Sequence, residues 1–86
     1  MIIAFANKGW DDYLYWQKND KQILKRINLL LNDIKRNPDD KDGIGKPERL
    51  KSNLSAYYSR RITQEHRLVY KILDDIIVVA QCRFHY

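Results

Sequence analysis

Four side chains in the second half of the sequence could together carry out acid–base chemistry on a phosphate ester. They are one carboxylate, two guanidinium groups and one imidazole: Glu48, Arg61, Arg67 and His85. A carboxylate can accept a proton from a hydroxyl group, arginines can stabilise charge that develops on phosphorus, and a histidine can protonate the leaving oxygen. This chemistry needs no metal ion or other cofactor, and the sequence predicts none.

Each of these residues also has an ordinary structural explanation. An outward arginine on a strand is more often solvated or paired than a phosphate ligand, and residues at chain ends usually tolerate change. Glu48 lies among Lys46, Arg49 and Lys51. That positive charge favours the ionised carboxylate, but the same residues could also hold it in surface ion pairs. The case for a site therefore depends on whether the fold brings the four groups together.

The net charge is concentrated in the half of the chain that holds these residues. Residues 46–86 contain eight Lys or Arg against four Asp or Glu, and they account for +4 of the total charge of +5. A basic half suggests a polyanion partner, most commonly nucleic acid, although solvated lysines that promote solubility would give the same total. If the polyanion is RNA, the four groups suffice for attack by a ribose 2′-OH on the neighbouring phosphate.

Length and composition predict one folded domain over residues 1–86. Hydrophobic residues make up 44% of the chain and charged residues 31%, as in ordinary globular proteins. The apolar runs at residues 1–6 and 76–80 are far shorter than the roughly 20 residues that span a bilayer, so a cytoplasmic protein is expected. Cys82 has no cysteine partner and no ligand-spaced histidine, and its place on an apolar strand indicates core packing.

The first half predicts a short strand and two helices. "IIAF" at residues 2–5 is typical of a buried strand, Asn7 could cap a helix around Trp10 to Gln17, and Asn19 or Asp20 could cap a second helix. Pro38 and the polar residues after it end the second helix. That helix carries one apolar stripe, formed by Ile23, Leu24, Ile27, Leu30, Leu31 and Ile34.

The second half predicts three strands that form an antiparallel meander. The strand-rich runs are "AYYSRRIT", "HRLVYKIL" and "DIIVVAQCRFHY", with turns near Gln64-Glu65 and Asp74-Asp75. Together with the helices this predicts an α+β fold, in which two N-terminal helices pack on one face of a small twisted antiparallel sheet. Alternation assigns the core-facing set as Leu68, Tyr70 and Ile72, followed by Ile76, Val78, Ala80, Cys82 and Phe84.

The same alternation leaves a basic set on the face without helices. With Ile62 turned inward, Arg61, Arg67 and His85 share this outer face, and Tyr57 and Arg83 lie near them. Clustered cations require an anion. The pattern therefore predicts an anion site that includes one titratable imidazole.

Three stretches closely resemble the YoeB-type toxins of the RelE superfamily. They are "GWDDYLYWQKNDKQILKRINLLLNDIKRNP", "GKPERLKSNLSAYYSRRITQEHRLVYKI" and the final "CRFHY", and the likeness runs from about Trp10 to Tyr86. The resemblance implies a microbial-ribonuclease-like fold and a type II toxin, an endoribonuclease that cleaves mRNA in the ribosomal A site and inhibits translation.

The resemblance also assigns roles to individual residues. Glu48 of "KPE" matches the general base of the family, His85 of "FHY" the general acid, and Arg67 of "EHRLVY" the arginine that stabilises the transition state. Arg83 is counted with the substrate contacts because of its place on the basic face. Positions matched to phosphate contact or base placement in the family are Lys51, Arg61 and Tyr86.

The implied partners are mRNA on the ribosome, a YefM-like antitoxin, promoter DNA bound through the toxin–antitoxin complex, and a second copy in a homodimer. The loop before Glu48 is about two residues longer than usual, Arg49 and Tyr58 replace a common proline and tryptophan, and Phe84 replaces a common tyrosine. Two alternatives remain at this point. One is a gyrase inhibitor of the ParE type, and the other is a nucleic-acid-binding module without catalysis.

Overall fold

Two helices pack against one face of a five-stranded sheet, which confirms the predicted α+β fold. The computed structural model describes residues 1–39 and 41–85. One 3₁₀ turn, Ser52–Leu54, lies between the second and third strands. The helices and strands, in chain order, are β1 (Ile2–Phe5), α1 (Asn7–Asn19), α2 (Lys21–Arg36), β2 (Glu48–Arg49), β3 (Tyr58–Arg61), β4 (Arg67–Leu73) and β5 (Ile76–Gln81).

The strand order in the sheet is β1-β5-β4-β3-β2. Strands β2 to β5 pair antiparallel with their neighbours, so the predicted meander of the three C-terminal strands is confirmed. Strand β1 adds to the other edge and runs parallel to β5, with Ile2 opposite Ile76. The sheet is therefore mixed: one pair of neighbouring strands, β1 and β5, is parallel, and the other pairs are antiparallel.

The apolar stripe of α2 forms the centre of the core, as predicted. Ile27, Leu30 and Ile34 are completely buried, and Asp20 caps the helix by accepting hydrogen bonds from two backbone N–H groups of the first turn. The predicted cap at Asn7 is wrong, because Asn7 is already helical and Ala6 occupies the cap position without a side-chain bond. Across residues 1–39 and 41–85, neither helix has the length and apolar character needed to cross a bilayer.

The predicted core-facing set of β5 is wrong for most of the strand. Ile77 and Val79 are the completely buried residues, whereas Ile76, Val78 and Ala80 are only partly buried. A β-bulge explains the difference: Tyr70 pairs with Val79 but Val69 pairs with Gln81, so one extra residue enters β5 at Ala80 and exchanges the two faces. After the bulge Cys82 is completely buried, as predicted, but Phe84 is 51% exposed and does not join the core.

A buried ion pair fixes the loop between α2 and β2. Arg60 is completely buried, and its Nη1 donates to the Asp33 carboxylate on α2 and to the Ile44 carbonyl oxygen, 3.1 Å away. The Ile44 N–H also donates to Asp33 Oδ2 at 3.2 Å. The hydrogen bond from Arg60 lowers the pKa of Asp33, despite the opposing effect of burial. The loop that leads to Glu48 is thereby attached to the core.

Candidate active site

Glu48 belongs to the edge strand β2 and begins a row of residues that crosses the sheet. Consecutive register partners in this row are Glu48, Ser59, Val69 and Gln81. Directly opposed residues share a face, and the core-facing Tyr70 fixes this face as the one without helices. With about 4.8 Å between strands, the Cα atoms of Glu48 and Gln81 are roughly 14 Å apart. A ribose phosphate lying over Ser59 and Val69 would fit between them.

The middle of the row forms a buried floor on the helix-free face. Ser59 is 3% exposed and Val69 is 4% exposed, although neither belongs to the hydrophobic core between sheet and helices. At one end of the same face, the Lys71 ammonium lies 5.3 Å from the centroid of the Tyr57 ring. The face therefore has a recessed centre between polar and charged side chains.

Arg61 and Arg67 lie opposite each other, two residues along β3 and β4 from the buried floor. The backbone of Arg61 is bonded on both sides, since its N–H donates to Gly45 O at 2.7 Å and its carbonyl oxygen accepts from Arg26 Nη2 at 3.2 Å. The Arg61 side chain is exposed. Two guanidinium groups in facing positions repel each other, and a phosphate between them would relieve that repulsion.

The guanidinium group of Arg67 is oriented by the turn between β3 and β4. Its Nη1 donates to the carbonyl oxygens of Thr63, Gln64 and His66, at 2.7, 3.0 and 3.1 Å. These bonds fix one nitrogen of the group, and none of them uses Nε or Nη2. A guanidinium held in this way can present its remaining N–H groups to an anion with little loss of side-chain freedom.

The segment that carries His85 leaves the sheet after Gln81 and is attached at once to α1. The Cys82 N–H donates to Asp12 Oδ2 at 3.0 Å, and the Cys82 carbonyl oxygen accepts from Trp16 Nε1 at 2.8 Å. The thiol is completely buried, and this burial raises the pKa of Cys82 to about 12. We call residues 82–85 the tail.

Phe84 is bonded through both of its backbone groups. Its N–H donates to His66 Nδ1 at 2.7 Å, and its carbonyl oxygen accepts from the Arg67 N–H at 3.0 Å. The residue has φ of 66°, a left-handed conformation that is unusual for a phenylalanine. Gln81 Nε2 then donates to the His85 carbonyl oxygen at 3.2 Å. The backbone of His85 therefore contacts the same row of residues that begins at Glu48.

The structure brings together most of the predicted site. Glu48, Arg61 and Arg67 share one face of the sheet. His85 lies beyond the end of β5, where alternation no longer applies, and its carbonyl oxygen accepts a hydrogen bond from Gln81, the last residue of the row. Lys51 is exposed just before the 3₁₀ turn. Their roles in substrate binding and catalysis stay predictions. Tyr86 lies outside the described residues.

The predicted position of Arg83 is wrong. Its guanidinium carbon lies 3.5 Å from the centroid of the Tyr15 ring on α1 and 4.5 Å from the Phe84 ring. Strand alternation does not apply to Arg83, because β5 has ended at Gln81 and the tail turns toward α1. The side chain stacks on the aromatic rings of Tyr15 and Phe84 and does not follow the outer face of the strand. Its assignment as a substrate contact stays a prediction.

Sequence reasoning missed the three buried polar side chains that hold the tail. They are Asp12 and Trp16 on one face of α1, and His66 in the turn just before β4. The spacing of Asp12 and Trp16, four residues apart, was a readable signal that both face the same neighbour. No comparable pattern marked His66. Within residues 1–39 and 41–85, no three His, Cys, Asp or Glu side chains converge as metal ligands would.

Comparison with known proteins assigns the family. A family model described as a YoeB-like toxin of bacterial type II toxin–antitoxin systems matches residues 5–86. A curated protein of Synechocystis named Toxin YoeB is 60% identical over 86 residues, which cover 100% of this chain and 98% of the relative.

Two solved structures from Staphylococcus aureus have the same fold. One is a heterotetrameric YoeB–YefM toxin–antitoxin complex and the other is a YoeB dimer. In each, the matched chain is 53% identical, with a TM-score of 0.91 and coverage of 100% of this chain and 98% of that one. The chain therefore belongs to the YoeB-like toxins of bacterial type II toxin–antitoxin systems.

Proposed function

We propose that this toxin is a ribosome-dependent endoribonuclease that cleaves mRNA in the A site and so inhibits translation. The observation that carries the proposal is the sheet register, which aligns Glu48 with Ser59, Val69 and Gln81 and sets Arg61 opposite Arg67 beside that row. A carboxylate at one end, a tail histidine at the other and cations alongside are the groups that cleavage of RNA by its own 2′-OH requires.

The reaction proceeds by transfer of two protons around one phosphate. The Glu48 carboxylate accepts the proton of the ribose 2′-OH, and the 2′-oxygen forms a bond to phosphorus. Arg61 and Arg67 stabilise the negative charge on the phosphorane. The bond from phosphorus to the 5′-oxygen then breaks, and the protonated imidazole of His85 gives its proton to that oxygen. The products are a 2′,3′-cyclic phosphate and a 5′-hydroxyl end.

The partners of the proposed reaction are mRNA and the ribosome, and the protein would act in the cytoplasm. Lys51 and Tyr86 are assigned to substrate contact. We expect the ribosome to supply part of the alignment, so that free RNA is cut weakly. By analogy with the Staphylococcus aureus proteins, the partners also include a YefM-like antitoxin and a second copy of the toxin. The complex with antitoxin would bind its own promoter DNA.

Inducible expression in bacteria, followed by mapping of mRNA 5′ ends, tests this function. We expect growth arrest and new 5′ ends within translated messages, and co-expression of a YefM-like antitoxin should prevent both. Intact mRNA together with damaged DNA would contradict the proposal and favour the gyrase inhibitor. Growth arrest without damage to either nucleic acid would favour a binding module that acts without catalysis.

Paired variants in a translating extract test the individual roles. Glu48→Gln and His85→Gln should each reduce the cleavage rate by about 10²- to 10⁴-fold, the usual contribution of a general base or acid. Asp11→Asn is the matched control for Glu48, because Asp11 is an exposed carboxylate on α1. This control should cleave at the wild-type rate. Unchanged cleavage by both site variants would disprove the acid–base assignment.

A further inference from the structure

We propose that His66 is a positioning residue for the proposed catalytic tail. Its imidazole holds the Phe84 N–H and thereby sets the direction in which His85 leaves the sheet. This inference rests on the proposed function, because it assigns His66 a role in that same reaction. His66 itself is not expected to contact the substrate, since it is only 7% exposed.

The contacts of His66 define how its ring is used. Nδ1 accepts a hydrogen bond from the Phe84 N–H at 2.7 Å, so this nitrogen is the acceptor that holds the tail. Nε2 lies 3.1 Å from the exposed Glu65 carboxylate. One ring nitrogen is therefore bonded to the tail, and the other faces Glu65.

Packing against two aromatic rings fixes the orientation of the His66 imidazole and therefore the direction of Nδ1. The imidazole makes an edge contact with the Trp16 ring, with centroids 4.7 Å apart, and a tilted contact with the Phe84 ring at 5.7 Å. Trp16 in turn donates to the Cys82 carbonyl oxygen at the beginning of the tail. Trp16 thus holds Cys82 at the start of the tail, and His66, which packs against Trp16, holds Phe84.

The bonds from His66 and from the Arg67 backbone hold a residue that does not belong to the hydrophobic core. Phe84 is 51% exposed and adopts φ of 66°. Its N–H nevertheless donates to His66 Nδ1, and its carbonyl oxygen accepts from the Arg67 N–H. A left-handed non-glycine residue persists only where its surroundings enforce it, and such residues are common at functional sites. The residue that benefits is the one that follows, His85.

His66 and Arg67 also couple two parts of the proposed site. The His66 side chain and the Arg67 backbone N–H both hold Phe84. In the proposed reaction, the Arg67 guanidinium group also contacts the phosphate. Loss of the His66 bond should therefore misplace the acid relative to Arg67 without removing either group. Displacement of a catalytic group by about 1 Å costs about 10²-fold in rate.

Two substitutions of similar chemistry separate positioning from simple packing. His66→Asn places an amide oxygen near the position of Nδ1, where it can accept from Phe84, whereas His66→Gln extends its amide toward the position of Nε2. Both remove the ring from Trp16, so both should lower the melting temperature by similar amounts. In the translating extract we expect His66→Asn to keep kcat within about 3-fold of wild type and His66→Gln to lose about 10²-fold, with KM unchanged in both.

Amide hydrogen exchange of Phe84 gives a readout that does not depend on cleavage. The Phe84 amide should be protected in the wild type and in His66→Asn, and should exchange rapidly in His66→Gln. Equal kcat values for the two variants, or an unprotected Phe84 amide in the wild type, would overturn the positioning role. If the wild type does not cleave mRNA, the proposed function fails and the catalytic role of His66 fails with it, while protection of Phe84 still reports whether the bond exists.

Discussion

The two ends of the proposed site are attached to the protein in different ways. The tail that carries His85 is held by side chains on α1 and in the turn just before β4, and four hydrogen bonds fix the backbone of Cys82 and Phe84. Glu48 instead lies on a two-residue edge strand that pairs with the buried Ser59, and the loop before it is attached to the core through the Arg60–Asp33 ion pair. The proposed acid is held by side-chain hydrogen bonds to the tail, whereas the loop that leads to the proposed base is held by a buried ion pair.

This difference indicates where each end is vulnerable. Hydrogen bonds to the tail are separate and each contributes modestly, so loss of one should loosen the tail without unfolding the protein. The loop before Glu48 is attached through one buried pair of charges, and removal of either charge leaves the other in the core without compensation. Four substitutions or conditions test the contrast.

Arg60→Met should have the largest effect. The substitution leaves the buried Asp33 carboxylate unpaired, and we expect it to lower the free energy of unfolding by about 3–5 kcal/mol. Urea denaturation followed by tryptophan fluorescence measures this change. The double variant Arg60→Met with Asp33→Leu should recover most of the loss, because it removes both charges. A single variant as stable as the wild type would show that the loop does not depend on the ion pair.

Gly45→Ala should destabilise the same loop to a smaller extent. Gly45 has φ of 85°, and a Cβ atom there would lie 2.9 Å from Leu30 Cδ2 and 3.1 Å from the Arg61 carbonyl oxygen. We expect a loss of about 1–3 kcal/mol, the usual cost of a left-handed non-glycine residue. The melting temperature measures the loss. Ala56→Gly, at an exposed loop position, is the control and should change it little.

Trp16→Phe tests the attachment of the tail with a smaller expected change in stability. The variant keeps an aromatic ring but removes the indole N–H that donates to the Cys82 carbonyl oxygen. We expect a loss of about 1–2 kcal/mol in the free energy of unfolding, together with faster amide exchange in the tail. Amide exchange in the loop before Glu48 should not change. Parallel loosening of both regions would contradict the independence of the two attachments.

Acidification should weaken the support of Glu48 gradually. The pKa of Asp33 is lower in the folded protein than its ordinary value of 3.8, so its ion pair stabilises the fold above about pH 4. That stabilisation is lost as the pH falls through the lowered pKa, because the unfolded chain binds the proton more readily. Unfolding free energies measured between pH 6 and pH 2 should show this loss. Asp33→Asn should show a shallower dependence on pH.

The parts of the fold that follow from local pattern were predicted from the sequence. Helix α2 has an unbroken apolar stripe, and Asp20 precedes it with a side chain suited to capping. The placement of Arg61 and Arg67 on one face followed from the alternation in β3 and β4, whereas their direct pairing is visible only in the structure. Local periodicity is sufficient in these elements because no irregularity interrupts them.

The parts that were not predicted depend on contacts between distant residues. The bulge at Ala80 reverses the faces of β5, and nothing in the five apolar residues 76–80 distinguishes one face from the other. Arg60 and His66 are buried polar groups whose partners lie far along the chain, at Asp33 and Phe84. Sequence pattern assigns such residues to the surface, because only the complete fold shows the partners that accept or donate their hydrogen bonds.

The parallel pairing of β1 with β5 determines when the protein can fold during its own synthesis. Ile2 pairs with Ile76, so the N-terminal strand emerges from the ribosome long before its partner is translated. The hydrogen bonds from Asp12 and Trp16 of α1 to Cys82 likewise cannot form until Cys82 has been translated. Contacts between residues so far apart in sequence form slowly and late. A nascent chain that stops before residue 76 lacks both the tail and β5, the strand that joins β1 to β4 in the sheet, and translation that is interrupted early yields no folded toxin.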